Sequence, residues 1–214
     1  MPESPIKTRN EKLGLTVASA LIHRGFEAYY CEGREEAVEK VMTLVPKGTS
    51  VSWGGSATIQ ELKLPDRFHA ENYTVLDRDR TSSPEERLAV MHKALSCDTF
   101  ITGVNALSED GQLVNVDASG NRVAAMAFGP QSVVVVAGIN KVVKTLEDAV
   151  NRARTIAAPI NLQRFPKAEV PCRKTGSCAN CNSPESFCAQ ILITRVCRPI
   201  GRIKVVLIGE ILGY

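Results

Sequence analysis

The sequence predicts an α/β fold with a mostly parallel sheet flanked by helices, and three observations support this prediction. Segments typical of strands alternate with segments typical of helices along most of the 214 residues, as in folds where a helix connects two parallel strands. Four consecutive valines at 133–136 have no polar face, as expected for a strand buried on both sides. Polar, glycine-rich loops follow several predicted strands, and such sheets bind ligands at that edge.

The first elements of the chain alternate in the order that this fold requires. Apolar residues from Leu13 to Leu21 recur at helical spacing. Gly25 follows where a left-handed C-terminal cap is expected, so the first helix is predicted to end there. The next predicted elements are a strand at 26–31, a helix whose apolar face is Ala37, Val38, Val41, Met42 and Val45, a strand at 49–53, a helix beginning at Ile59 and a strand at 73–76.

The remaining elements continue the alternation. Residues 83–86 form a capping box with proline at the first helical position, which predicts a helix through Leu95. A helix at 145–157 is predicted to stop at Ala158-Pro159, because the residue before a proline avoids helical geometry. The predicted strands are 99–102, 113–116, a central strand at 132–137, and a last strand at 203–208 that returns to the same sheet.

Four of the seven cysteines lie in one 17-residue window with the spacing C-x5-C-x2-C-x6-C. Thiolates are soft ligands that select zinc, Cu(I) or iron–sulfur centres, and four of them complete a first coordination shell. The single short C-x2-C knuckle favours an iron–sulfur cluster, zinc is the alternative, and a metal-free loop is a third interpretation. The candidate metal ligands are Cys172, Cys178, Cys181 and Cys188.

The other cysteines are interpreted as small core residues. These are Cys31, Cys97 and Cys197, of which Cys197 could substitute as a fourth ligand. The predicted organisation is an α/β domain at 1–165, a Cys-rich module at 166–198, which is a small insertion near the C-terminus, and a returning strand segment at 199–214.

Charge and hydropathy exclude several classes of function. The formal net charge is +3, from 26 basic and 23 acidic residues without a run of like charge, so nucleic acid and membrane surfaces are not expected partners. No apolar stretch reaches the roughly 18 residues of a membrane span, and no signal peptide is recognised. We therefore expect a cytoplasmic protein, whose thiols stay reduced. A small anionic metabolite remains a possible ligand.

Three loops after predicted strands supply the candidate ligand-binding residues. In the first loop, two glycines allow backbone amides to approach a phosphate or carboxylate, although an ordinary turn explains them equally well. Asn, Asp and Arg side chains of the other two loops can hold hydroxyls or an anion, while turn formation accounts for part of that pattern. The candidates are Gly54, Gly55, Ser56, Thr58, Gly103, Asn105, Asn115, Asp117, Asn121 and Arg122, together with Lys141, which directly follows the four-valine strand and can face the same cleft. Three histidines, His23, His69 and His92, are expected on the surface.

Several runs together resemble the LUD-domain, or lactate-utilisation, family. They are residues 53–58, 97–106, 110–117, 120–122, 128–130, 136–141 and 157–161, and the similarity extends over nearly the whole chain. The resemblance implies a fold like that of ribose-5-phosphate isomerase and the CoA-transferases. It also implies a part in the oxidation of lactate to pyruvate beside iron–sulfur subunits. The cysteine module is similar to a variant found in some members.

Two main functional hypotheses follow. In the first, the chain takes part in organic-acid redox metabolism, binds an anionic metabolite at the strand ends and transfers electrons through a four-cysteine centre. In the second, it is a ligand-binding or regulatory protein whose cysteines hold structural zinc. Whether the cysteines lie beside the loops or on the far side of the sheet separates the two, since proximity favours redox chemistry.

Overall fold

A six-stranded sheet forms the centre of the computed structural model, which describes residues 4–214. Its strands are β1 (Glu27–Cys31), β2 (Ser50–Trp53), β3 (Thr74–Leu76), β4 (Thr99–Gly103), β7 (Ser132–Gly138) and β10 (Ile203–Ile208). Their order across the sheet is β1-β10-β7-β4-β2-β3, and every neighbouring pair is parallel. The predicted α/β class is therefore confirmed, and the last strand lies inside the sheet.

A second, four-stranded sheet was not predicted. It contains β5 (Ala106–Ser108), β6 (Leu113–Asp117), β8 (Val142–Val143) and β9 (Gln190–Thr194) in the order β8-β5-β6-β9. Strand β6 is antiparallel to both of its neighbours. Two of these strands have only three and two residues, which is too short for a recognisable sequence pattern. Strand β9 follows the cysteine window directly and attaches it to this sheet.

Helices cover both faces of the parallel sheet. They are α1 (Pro5–His23), α2 (Arg34–Leu44), α3 (Ala57–Glu61), α4 (Leu64–Ala70), α5 (Pro84–Ala94), α6 (Asn121–Ala127), α7 (Leu146–Arg152), α8 (Ala158–Leu162) and α9 (Pro171–Thr175). Gly25 has a φ of 80°, as the predicted cap of α1 requires. In the part of the chain that the structure describes, no helix combines the length and apolar character needed to cross a membrane.

The valine run of β7 is fully buried because its side chains alternate between two cores. Val133 and Val135 pack with residues of α1, α5 and α6 on one face. Val134 and Val136 pack with α2, α3 and α4 on the other face. A strand between two helical layers needs apolar residues at every position, which explains the absence of alternation in its sequence.

Pro159 does not stop the helix that precedes it, contrary to the prediction. Helix α7 continues through a π-helical turn at Ala153–Ala157 directly into α8. Proline is tolerated here because it occupies the first turn of α8, and because the wider π turn changes the hydrogen-bonding pattern that a proline would otherwise break. The continuation matters for function, because residues of α8 line the pocket described below.

Candidate functional site

A pocket of about 410 Å³ lies where strands β2, β3, β4 and β7 end. The loops after these strands, the end of β6 and the start of α6 supply one part of its wall, while α8 and the Cys-rich segment supply another. The pocket therefore has the location expected for a ligand site in an open parallel sheet. Eight of the predicted residues line it, namely Gly55, Ser56, Gly103, Asn105, Asp117, Asn121, Arg122 and Lys141.

The three other predicted ligand residues do not line the pocket but lie behind its wall. They are Gly54, Thr58 and Asn115. Thr58 is fully buried, and its hydroxyl accepts a hydrogen bond from Lys141 Nζ at 2.8 Å. Asn115 is also fully buried, and its Nδ2 donates to the carbonyl oxygen of Gly103 at 3.2 Å. Both side chains thus position residues that line the pocket.

The glycine pair of the first loop makes room for two arginines. A Cβ atom on Gly54 would lie 2.7 Å from Cδ of Arg122, and one on Gly55 would lie 2.8 Å from Nη2 of Arg78. The following helix α3 has only five residues, so its dipole contributes little. The sequence-based interpretation, an anion bound by backbone amides, stays a prediction. The side chains above the glycines supply the positive charge.

Arg122 holds the loops of the site together. Its Nη1 donates to the carbonyl of Gly103, and its Nη2 donates to Asn105 Oδ1 and to the carbonyl of Val116. Its Nε lies 3.4 Å from Oδ2 of Asp117. Burial lowers the pKa of this guanidinium, which nevertheless remains charged at any physiological pH. Most of its donors are used within the protein, so its main role is to fix the ends of β4 and β6.

Arg78 is a cation of the pocket with donors left over, and sequence reasoning missed it. Within residues 4–214, its buried Nε has no hydrogen-bond partner, and the carboxylate of Asp79 lies 3.9 Å away. Asp79 instead accepts a hydrogen bond from Arg87 at 2.9 Å. Burial lowers the pKa of Arg78. A partly buried cation without a hydrogen-bonded carboxylate is a feature that an anionic ligand would complete.

Lys141 adds a second buried nitrogen to the wall. Only 3% of the residue is exposed, and its Nζ donates a hydrogen bond to the Thr58 hydroxyl. The pKa of this amine is lowered to about 7, mainly by burial and also by the neighbouring Arg152 and Arg122, while Glu61 acts in the opposite direction. Lys141 can therefore gain or lose a proton near neutral pH.

The wall formed by α8 and the segments near it was also missed. The hydroxyl of Tyr214 donates to Asn161 Oδ1 at 2.9 Å and accepts from Arg164 Nη1 at 3.2 Å. Beside them, the rings of Phe165 and Phe187 pack edge to face with centroids 4.7 Å apart. Asn161 lies in one of the runs that support the family resemblance, and that was the available signal.

The four cysteines of the window surround one small cavity of about 30 Å³. The pKa of the Cys188 thiol is raised to about 11, mainly by burial and also by the three other thiols, while Arg154 acts in the opposite direction. Two residues, Ala158 and Phe187, line both this cavity and the large pocket. The cysteine cavity therefore lies beside the pocket, not on the far side of the sheet.

This donor set fits a thiolate-bound centre in its chemistry and in its convergence on one cavity. The side chains are not gathered into a coordination shell: among residues 4–214, no group of three or more His, Cys, Asp or Glu side chains is close enough to hold a metal ion. Cys197 lies outside the cavity, in the core, with no exposed surface, and its sulfur accepts a hydrogen bond from the backbone N–H of Ile203. Cys31 and Cys97 are buried as predicted.

The three histidines do not contribute to either cavity. His23 and His92 are exposed, as expected. His69 is partly buried instead, with its Nε2 2.9 Å from Asp77 Oδ2 and its ring edge against Trp53.

Comparison with known proteins gives a family and a fold. The model of the family described as LUD domain matches residues 16–208. A crystal structure of a DUF162 family protein from Deinococcus radiodurans is 13% identical with a TM-score of 0.53, and the match covers 97% of this chain and 99% of that one. Ribose 5-phosphate isomerase A from Neisseria gonorrhoeae is 15% identical over 53% of this chain and 54% of its own, with a TM-score of 0.36. A search of the curated proteins finds no match.

Proposed function

Because the chain belongs to the LUD-domain family, we propose that it takes part in the redox metabolism of a small organic acid, such as the 2-hydroxy acid lactate. The observation that carries this proposal is the contact between the two cavities. A pocket containing the partly buried cation Arg78 shares Ala158 and Phe187 with a cavity surrounded by four thiols. The proposed site for an anionic metabolite and the proposed site for a thiolate-bound centre would thus be immediate neighbours.

The residues that would hold the centre are Cys172, Cys178, Cys181 and Cys188. An iron–sulfur cluster, when bound, supplies one-electron transfer. Oxidation of a 2-hydroxy acid to the 2-oxo acid releases two protons and two electrons, so the electrons need a further acceptor. We infer that partner redox subunits provide it, and that the protein works in the cytoplasm, where these thiols stay reduced.

The size of the cysteine cavity favours a second candidate. A cavity needs roughly 10 to 15 Å³ to hold one water molecule, so a cavity of about 30 Å³ has room for only about two, which is closer to a single ion than to a cluster of several atoms. In this version the cysteines hold structural zinc, and the protein binds its anionic metabolite without turnover.

Metal and sulfide analysis of protein purified without air tests both candidates. The redox proposal predicts a brown protein with iron and acid-labile sulfide in equal amounts. It also predicts that the double variant Cys178→Ser/Cys181→Ser loses both, whereas Ser183→Ala in the same segment keeps both. Colourless protein with one zinc per chain would establish the second candidate. Protein with neither metal, and with unchanged stability in the double variant, would contradict both.

A further inference from the structure

The charges that line the pocket exceed what a monocarboxylate can balance. The described lining contains five cationic side chains and two carboxylates. Arg87 pairs with Asp79 and Arg122 pairs with Asp117. Three cations of the lining have no carboxylate within hydrogen-bond distance and remain available for a ligand. They are Arg78, Arg164 and Lys141. A lactate-like acid brings one negative charge, whereas a phosphate monoester brings about 1.5 to 2 at neutral pH.

Arg78 has the chemistry that recognises a phosphate. A guanidinium presents several donors in one plane and binds phosphate oxygens in pairs. In this pocket its Nε lacks a hydrogen-bond partner within the described chain, and its Nη2 lies over Gly55, where any side chain would displace it. Ser56 also lines the pocket. A phosphate at this position would meet the guanidinium of Arg78 through the nitrogen that lies over Gly55.

The part of the wall formed by α8 and the Cys-rich segment is aromatic. A three-carbon acid has no ring that could stack on such a surface. Phe165, Phe187 and Tyr214 line the pocket there. The guanidinium of Arg164 lies 5.7 Å from the centroid of the Phe165 ring, and Phe165 itself is 40% exposed. Exposed aromatic faces and arginine planes are surfaces on which planar heteroaromatic rings stack.

The size of the pocket agrees with a ligand larger than a three-carbon acid. Pockets of about 300 to 1,000 Å³ accommodate drug-sized ligands, and this one measures about 410 Å³. One cavity thus combines a cation with unused donors, an aromatic surface and enough room for a molecule that reaches both.

We propose that the pocket binds an organophosphate that carries a planar heteroaromatic ring, that is, a mononucleotide-type ligand. Its phosphate contacts Arg78 and Ser56, and its ring packs against Phe165 and Phe187. The inference rests on the proposed function in one respect, since it assigns a ligand class to the same pocket. Its ring would lie next to Phe187, one of the two residues that line both the pocket and the cysteine cavity.

Isothermal titration of the full chain with flavin mononucleotide, AMP, inorganic phosphate, riboflavin and lactate tests the ligand class. We expect saturable one-to-one binding of at least one of the two mononucleotides, with phosphate weaker by about tenfold or more because it lacks the stacked ring. Riboflavin should bind weakly because it lacks the phosphate. Riboflavin binding as tightly as flavin mononucleotide would overturn the role of Arg78. Lactate binding without either mononucleotide would overturn this inference and leave the proposed function standing, whereas metal analysis tests the proposed function independently.

Two variants with matched controls assign the contacts. Arg78→Met should weaken mononucleotide and phosphate binding by about 10- to 100-fold, the value of a charged hydrogen bond, whereas Arg80→Met, on the exposed neighbouring side chain, should not. Phe165→Leu should weaken mononucleotide binding by about tenfold and leave phosphate binding unchanged. Its control is Phe128→Leu, at an aromatic residue that is 88% exposed and outside the pocket. Wild-type mononucleotide affinity in a folded Arg78→Met or Phe165→Leu protein would contradict the proposal.

Discussion

Lys141 shows how burial can change the proton affinity of a single amine. Its pKa is lowered from 10.5 to about 7 in the folded protein. Between these two values the unfolded chain binds one more proton than the folded chain, so this residue makes stability rise with pH. At pH 7 and below, the protein carries the full cost of a charged amine in a buried site.

Lys141→Met should therefore stabilise the protein most at acidic pH. We expect the variant to melt above the wild type at about pH 6, with a difference that shrinks as the pH approaches about 10, because near the unfolded-state pKa of 10.5 the amine becomes neutral in the unfolded chain as well. Thermal unfolding at several pH values measures this difference. The same comparison for Lys144→Met, whose side chain is 76% exposed, should show no such trend. A difference that is constant with pH would mean that Lys141 keeps its proton.

Arg122 is expected to matter for stability more than for ligand contact. Arg122→Gln removes the cation beside Asp117 and one hydrogen-bond donor from each of three acceptors, on Gly103, Asn105 and Val116. Removing one partner of a buried ion pair costs about 3 to 5 kcal/mol, so the free energy of unfolding in urea should fall by about that amount. Arg80→Gln at the surface should change it by less than about 0.5 kcal/mol. Equal stability of the two variants would show that the contacts of Arg122 contribute nothing.

At this scale the sequence identifies residue types but not their hydrogen-bond partners. Arg122 was predicted to bind a ligand, and it does line the pocket, but its donors are used by backbone carbonyls that no sequence pattern reveals. Arg78 was missed although it follows a predicted strand, because no glycine-rich loop marks that strand end. An arginine at a strand end can serve either role, and only the tertiary structure determines which donors are left.

The segment after β10 closes the site from behind. Gly213 N–H donates to Glu61 Oε2 at 3.0 Å, and the carbonyl of Leu212 accepts from the Thr58 hydroxyl at 3.3 Å. Gly213 has a φ of 58°, and a Cβ atom there would lie 2.6 Å from Thr58 Oγ1 and 3.3 Å from Lys141 Nζ. This segment therefore needs a glycine for its conformation and for space.

Gly213→Ala should cost more stability than the left-handed conformation alone explains. The control is Gly48→Ala, because Gly48 has a φ of 79° and nothing within 4 Å of an added Cβ. We expect Gly48→Ala to cost about 1 kcal/mol. Gly213→Ala should cost clearly more, because it also displaces Thr58 from Lys141. Urea unfolding of both variants measures the difference, and equal losses would contradict a steric contribution.

Helices and strands were predictable where the sequence carries a clear local signal. They were not predictable where tertiary contacts decide the conformation. The 203–208 strand and the cap at Gly25 agree with the structure, because a buried apolar run and a left-handed glycine are local signals. The continuation past Pro159 was not foreseen, because a π turn depends on packing and has no sequence signature. Strand β9 forms by pairing with β6, a partner more than 70 residues away in sequence.

At the scale of the whole molecule, the valine run and the alternation of elements were sufficient to predict the parallel sheet. The adjacency of the pocket and the cysteine cavity could not be predicted from the sequence. It requires a helix that continues past a proline and a cysteine window held by the second sheet, so that Ala158 and Phe187 can line both cavities. Local signals therefore revealed the two sites, and only the tertiary fold revealed that they are adjacent.

The position of β10 has a consequence for the order of events during synthesis. Strand β10 lies between β1 and β7, so these two strands have no common neighbour until residues 203–208 have left the ribosome. By then the whole cysteine window has emerged. We therefore expect the nascent chain to expose the unpaired edges of β1 and β7 until late, and to complete its sheet in one slow, long-range step. Folding of the core and delivery of any ion to the cysteines would then share the same interval.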